Sequence, residues 1–397
     1  MLSLYWIKIK NFLVFSSNLL IDFLIKRKKI LPQQKTLLLV KLDEIGDFIL
    51  FHNFISVIRQ SKKFNNYQIT LCGNIIWKEL AENLHRDEID QFVWLDKRQF
   101  YNNIRYKYHI LKNIYQKGFE VVINPRYSRE ILFDDAIVKA SNASMRMGSE
   151  GSLEKHARWK RQLFTDRYYT QVIPQNAQNL FEFYRNKNFF EKVLGEQISL
   201  KKPTLHLKLS KQNLNLPEKY ITLFPGAGEK KRMWDISKFS ELVKFILYTY
   251  SLSVVVCGSS QEKELSQTLH SDIKNDLLQD MTEKTTLSEF VTVIENSILL
   301  ISNETSAIHI AAAVKTPFIC ISNGKHFGRF NPYPKDIFTQ AEYVYPPKII
   351  DRLKQMDVLQ EKYRFDSDLD INLIEVDTVK KCVKKFLSQK DLDTTQD

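Results

Sequence analysis

Three polar clusters, each closing an apolar run, hold the residues of this chain best suited to chemistry on an anionic substrate. Ser302-Asn303-Glu304-Thr305-Ser306-Ala307-Ile308-His309 joins the apolar run 298–301 to a small-residue helical stretch at 310–314. A strand that ends in polar residues and turns directly into a helix aims backbone N–H groups beyond the sheet edge, where a phosphate is stabilised. Phe224-Pro225-Gly226-Ala227-Gly228-Glu229-Lys230-Lys231-Arg232-Met233-Trp234 closes a second run with two glycines and three consecutive cations. Glycines let backbone N–H groups approach an anion, and the cations can neutralise a departing diphosphate. The plainer alternatives are a helix cap at Thr305 or Ser306 and a solvated basic turn.

The third cluster, Asp43-Glu44-Ile45-Gly46-Asp47, follows the run 36–42. A carboxylate at Asp47, just inside the next helix, can serve as a general base or can simply favour the positive helix N-terminus. Cys257-Gly258-Ser259-Ser260 is a further strand-end loop, with Gly258 and Glu262 as candidate ribose or base contacts. Gly226 and Gly228 lack the third glycine of a dinucleotide fingerprint, and Lys230-Lys231 is not followed by Ser or Thr as in a Walker loop, so hydride transfer and NTP hydrolysis drop in rank. His309 stands alone on an apolar helix and reads as a packed histidine. Asp366-Ser367-Asp368 has the letters of a metal clamp but lies in a late acidic stretch, and no metal is expected.

These loops need a sheet to hold them. Strand-like runs at 36–42, 68–72, 92–95 and 120–123 alternate with helical stretches, the first at 48–58. A second set runs through strands 220–224, 253–257, 298–301 and 318–321 and helices 237–250, 261–270, 287–295 and 305–314. Such alternation predicts an α/β protein with two doubly wound parallel sheets. The 397 residues suit two domains. The expected division is an amphipathic basic segment 1–34, a first Rossmann-like domain 35–200 with a helix at 175–193, a linker 201–216, a second Rossmann-like domain 217–350, and a C-terminal segment 351–397, ending in a helix 376–388, that packs back on the first lobe; the resemblance described below makes the first the acceptor domain and the second the nucleotide-sugar domain.

Composition narrows the setting. Cys72, Cys257, Cys320 and Cys382 are widely spaced, with no C-x-x-C pair, which suits buried thiols in a reducing cytoplasm. Half of the net charge of +12 falls in residues 1–40, with seven basic side chains against one acid. Between the basic residues runs an apolar stretch, 12–25, shorter than the roughly 20 residues a membrane span needs. Lys8, Asn11, Asn18, Asp22, Lys26 and Lys29 recur at helical spacing as one polar stripe, which predicts a basic amphipathic helix at an anionic membrane surface. Nucleic acid is not an expected partner, because no basic and aromatic reading motif is present.

Taken in order, Lys41 through Asp47, Phe224 through Gly228 with Lys231-Arg232-Met233-Trp234, and Asn303-Glu304-Thr305-Ser306 with His309 resemble glycosyltransferase family 9, the heptosyltransferases of lipopolysaccharide core assembly. The resemblance covers about residues 36–330. It implies a GT-B fold, two Rossmann-like domains facing a cleft, and metal-independent inverting transfer from an ADP-heptose co-substrate, with no cofactor. It further implies Asp47 as the base and Arg232 as the diphosphate-holding cation, with Lys231, Glu304 and the N–H groups of Ala227, Gly228, Thr305 and Ser306 around the donor. Where many members have Asn-Asp-Thr-Gly, this chain has Asn303-Glu304-Thr305-Ser306. A glycolipid or oligosaccharide acceptor fits a peripheral place at the inner face of a bacterial inner membrane. A sugar-nucleotide epimerase and a non-catalytic nucleotide-sugar-binding protein are the alternatives.

Overall fold

The computed structural model describes residues 2–152, 161, 164–175, 180–207 and 214–393. Residues 208–213 of the expected linker and 176–179 of the expected helix 175–193 lie outside the described residues. The chain divides into two units, residues 1–178 with 184–200 and residues 179–183 with 201–397.

The sheet of the first unit comprises β1 (Gln33–Lys41), β2 (Gln68–Asn74), β3 (Gln91–Leu95), β4 (Phe119–Asn124), β5 (Met145–Ser149) and β6 (Gln171–Ile173). Its order is β3-β2-β1-β4-β5-β6 and every pairing is parallel. Leu37, Leu38, Leu39 and Val40 are all fully buried, because β1 lies at the centre with helices on both faces. That burial explains its continuous, non-alternating apolar run.

The second unit repeats the design with β7 (Tyr220–Phe224), β8 (Ser253–Val256), β9 (Leu278–Asp280), β10 (Leu299–Asn303), β11 (Phe318–Ile321) and β12 (Ala341–Val344). Its parallel order, β12-β11-β10-β7-β8-β9, is the same winding. In each sheet the winding reverses beside the first strand, between β1 and β4 and between β7 and β10. Loops leaving the carboxyl ends there diverge to opposite faces and open a crevice. The loops after β1, β7 and β10 are the three polar clusters of the sequence.

Four strands escape the sequence pattern: β5, β6, β9 and β12. They are short and lie toward the sheet margins, and Arg146, Gln171, Gln279 and Glu342 interrupt their apolar character. The stretch 48–58 forms two helices, Ile45–Ile49 and Asn53–Gln60, separated by a turn at Leu50–His52. The N-terminal helix is present and spans Leu2–Ile25. Among the described residues no helix is long and apolar enough to cross a membrane. All four cysteines are free; three are buried and Cys382 is half-buried.

The C-terminal segment corrects the expectation that it packs back on the first lobe. Helix Val376–Asp393 places Val376, Val379 and Val383, spaced for one helical face, in the core of the second unit with Ile319, Ile321 and Val344. Helix Met356–Tyr363 buries Leu359 and Tyr363 against Phe327, Tyr345 and Ile349 of the same unit.

Candidate active site

In the first unit, β1 ends on two buried charges of opposite sign. Lys41 Nζ lies 2.6 Å from Asp43 Oδ2, and Arg126 Nε, from the loop after β4, lies 2.5 Å from Asp43 Oδ1. Arg126 also pairs with Asp134 at 2.8 Å and Glu130 at 3.3 Å. Burial pushes the Asp43 carboxyl up, but the charges of Arg126 and then Lys41 outweigh it and hold the group well below the usual carboxylate range. The same balance keeps Arg126 charged: burial opposes the cation, and Asp43, Asp134 and Glu130 prevail.

This ionic knot ties the loop after β1 to the loop after β4. The Asp43 carbonyl accepts from Trp77 Nε1 at 3.0 Å and Asn74 Nδ2 at 3.2 Å, and Phe48 stacks on Trp77 with centroids 4.3 Å apart. Asp47, half-buried, stands in the first turn of helix Ile45–Ile49, immediately before the stacked Phe48. Lys97, 3.1 Å from Glu44, adds positive potential to this edge.

Asp43→Asn should be costly, because it leaves Lys41 and Arg126 buried with less counter-charge. We expect a loss of about 3–5 kcal/mol in urea unfolding at neutral pH. Since the folded pKa lies well below the unfolded one, the contribution of Asp43 is complete above about pH 4, declines as pH drops below that value and is lost only as pH falls through the folded pKa. The gap between wild type and variant should therefore narrow in acid; a constant gap would count against the ionic account.

A second buried network lies behind the first. Asn124 donates to Asp134 at 3.1 Å and to Tyr169 Oη at 2.8 Å, and Tyr169 donates to Asp135 at 2.5 Å. Burial raises the Asp135 carboxyl to about 6. The Arg129 guanidinium stacks on the Tyr169 ring, 4.6 Å from its centroid, and pairs with Asp166. Sequence reasoning passed over Arg126, Arg129 and these acids. The signal available was Asn124-Pro125-Arg126, a polar break directly after an apolar strand, like the three clusters that were singled out.

In the second unit, Arg232 and Glu304 join the two loops that flank the β7/β10 switch. Arg232 Nη2 donates to the Glu304 carbonyl at 2.6 Å and lies 3.3 Å from its Oε1. Glu304 Oε2 accepts from Ser322 Oγ at 2.7 Å, so the carboxylate is buried, bonded on both oxygens and able to orient the guanidinium. Arg232 Nε is buried with no hydrogen-bond partner, as are the Nε atoms of several other arginines of the chain. Asn303 staples the loops further, donating to the Pro225 carbonyl at 2.6 Å and accepting from the Trp234 N–H at 3.2 Å.

Helix Ser306–Val314 starts beside this pair. Thr305 is its N-cap, extended at φ −144°, with Oγ1 accepting from the Ala307 N–H at 3.2 Å. Cap and phosphate-site readings are compatible, since the cap engages the Ala307 N–H rather than those of Thr305 and Ser306. His309 is packed, as its isolation predicts. Its Nδ1 meets Tyr333 Oη at 2.8 Å, and burial, aided by Arg232, lowers its pKa to about 3.

Gly226, Gly258 and Glu262 come together. A Cβ on Gly226 would fall 2.3 Å from Glu262 Oε1, and one on Gly258 would fall 2.4 Å from Glu262 Cβ, so both glycines admit this carboxylate beneath the loop. Its Oε2 serves a capping box, accepting from Ser259 N and Oγ, both at 2.7 Å. By contrast, a Cβ on Gly228 would meet nothing within 4 Å; that side of the loop is open. Lys231 is half occupied by acids, at 2.6 Å from Asp366 and 3.6 Å from Glu229. Asp366 of the Asp-Ser-Asp stretch is thus an exposed partner of the basic loop.

Comparison with known proteins follows the same lines. A model of glycosyltransferase family 9 (heptosyltransferase) matches residues 108–343, a span that begins after the Asp47 loop. Lipopolysaccharide heptosyltransferase 3 of Escherichia coli K12 is 20% identical over 304 residues, 74% of this chain and 83% of that protein. Among solved structures, a family 9 glycosyl transferase from Veillonella parvula superposes with a TM-score of 0.66 at 17% identity, covering 91% of this chain and 99% of its own. The E. coli heptosyltransferase WaaC with ADP also scores 0.66, at 13% identity, over 88% of this chain and 99% of its own. The fold is that of the GT-B heptosyltransferases, two Rossmann-type units in one chain.

Proposed function

This chain belongs to glycosyltransferase family 9, and from that membership we propose that it transfers a heptose from ADP-heptose to a lipopolysaccharide-core or other cell-surface glycan, inverting the anomeric carbon and using no metal ion. Membership makes it a glycosyltransferase and sets aside the epimerase and the non-catalytic binding protein. The observation that carries the finer reading is the Arg232–Glu304 pair, an oriented cation beside a helix N-terminus at a switch point. ADP in the WaaC structure and the heptosyltransferase name of the E. coli relative support the choice of donor.

In this reading Asp47 removes the proton of the acceptor hydroxyl as its oxygen attacks the anomeric carbon. The bond from that carbon to the phosphate oxygen breaks, and the electron pair leaves with ADP. Arg232, Lys231 and the N–H groups of Ala227, Gly228, Thr305 and Ser306 stabilise the charge that grows on the diphosphate. Glu304 positions Arg232, while Gly258 and Glu262 shape the loop that meets the ribose or base. Incubation with ADP-heptose and a heptose-deficient core acceptor should release ADP one-for-one with glycosylated product; release of ADP with no glycosylated product would refute transfer. A thermal-shift comparison should favour ADP over UDP, with about 2.7 kcal/mol of stabilisation at 100 times the Kd.

The basic N-terminus belongs to the same proposal. Lys8, Lys10, Arg27, Lys28 and Lys29 are exposed and suit the anionic inner face of a bacterial inner membrane, with the enzyme on its cytoplasmic side. Reversing Arg27, Lys28 and Lys29 to Glu should abolish sedimentation with phosphatidylglycerol vesicles and leave the weak response to phosphatidylcholine as it was. Equal binding to anionic vesicles would remove the membrane from this account.

A further inference from the structure

The N-terminal helix exposes more apolar surface than a protein bathed only in water ordinarily shows. Of its polar stripe only the middle is buried, at Asn18 and Asp22: Asn18 donates to the Leu132 carbonyl at 3.3 Å and Asp22 lies 2.7 Å from Lys26 and 3.4 Å from Lys139, while Asn11, which accepts from Tyr101 Oη at 2.7 Å, stays exposed with Lys8 and Lys29. Val14, Ile21 and Ile25 pack inward, but a second apolar face turns outward, with Phe12 68%, Phe23 65% and Leu20 55% exposed. A row of large apolar side chains on one exposed helix face marks an interaction surface.

Between this helix and the turn after β4 lies a groove of about 590 Å³, the size of a small-ligand site. Phe12, Phe15, Leu132, Phe133 and Phe164 supply its walls, and Phe12 is shared with the outward face of the helix. The groove also touches Glu130. Glu130 pairs with Arg126 at 3.3 Å and lies 3.9 Å from Lys97, so the groove adjoins the ionic knot that holds the loop bearing Asp47.

We propose that this groove takes one alkyl chain of the acceptor glycolipid, drawn from the bilayer, so that the glycan is presented at the β1 and β4 loops. The proposal rests on the acceptor reading given above and adds a site to it. Charge selects the occupant. Cations bracket the apolar face at both ends, Lys8 and Lys10 before it and Arg27, Lys28 and Lys29 after it, which suits an amphiphile with an anionic head. A symmetric pairing of two such helices would bring cations against cations. Lys10 Nζ sits 4.9 Å from the centroid of Tyr101, another groove residue, and places positive charge beside the groove.

Equilibrium dialysis of radiolabelled myristate against the full chain tests this, with laurate and decanoate as shorter probes. We expect one saturable site, an affinity about fourfold weaker for each methylene removed, and at least a tenfold loss in Phe12→Asp and in Phe164→Asp. Both positions are exposed, so the variants should fold, as circular dichroism would establish, and Phe12→Leu should retain binding. Absent or unsaturable binding, indifference to chain length, or full binding in both Asp variants would overturn the proposal. So would a dimer that dissociates in Phe12→Asp, since the face would then belong to a second copy. Turnover of a de-acylated acceptor by the wild-type chain measures the transfer reading separately, so turnover there without a myristate site overturns the groove alone.

Discussion

Asp47→Asn should lower kcat by about 10²- to 10⁴-fold, the range that a general base supplies, and leave ADP affinity within about twofold. The substitution keeps shape and removes only the ability to accept a proton. Asp47 stands in the first unit, whereas the residues proposed to hold the donor belong to the second, so the two effects separate by location as well as by chemistry. Isothermal titration with ADP beside single-turnover assays gives both quantities. Unchanged kcat would show that the carboxylate only complements the positive end of helix Ile45–Ile49, the plainer role that its position also allows. Loss of ADP binding together with turnover would instead point to a folding defect.

Arg232→Ala should cost about 10²- to 10³-fold in kcat/KM, as loss of one charge-stabilising donor does elsewhere, and should erase most of the thermal shift produced by ADP. Arg232→Lys should recover only part of this, because an ammonium restores charge without the planar fork that bonds the Glu304 carbonyl and carboxylate. The control is Glu304→Gln, which keeps a bond to the Arg232 region but removes the carboxylate that orients it. A positioning role predicts that this variant raises KM for the donor and is milder than Arg232→Ala. If Arg232→Ala left the ADP shift intact, the second-unit site would have to be placed elsewhere.

The substitution of Glu for the Asp of the family pattern has a structural account here. The longer side chain spans from β10 to Ser322 on one oxygen and to Arg232 on the other, a reach that ties the loop after β11 to the cationic loop. Ser306 in place of glycine is compatible with its position as the first residue of a right-handed helix, where no positive φ is needed.

What the sequence by itself determined was local. Continuous apolar runs such as Leu37 to Val40 are legible because a strand buried on both faces has no polar side to show, and the polar residues that end such runs mark the carboxyl edge of the sheet, where the chain leaves the core. Strand ends, the Thr305 cap and the cationic loop could therefore be read without coordinates, and with them both doubly wound sheets. The tertiary structure alone decided everything that depends on a partner distant in the chain. Asp43 and Arg126 are 83 positions apart in number and 2.5 Å apart in space, and no periodicity links them. Helix Val376–Asp393 joined the second core because its valine face found buried strands there, a choice amphipathicity leaves open. The N-terminal helix shows the limit most clearly: its pattern separates polar from apolar positions, but only the coordinates establish that Asn18 and Ile21 are buried while Phe12 and Phe23 are exposed.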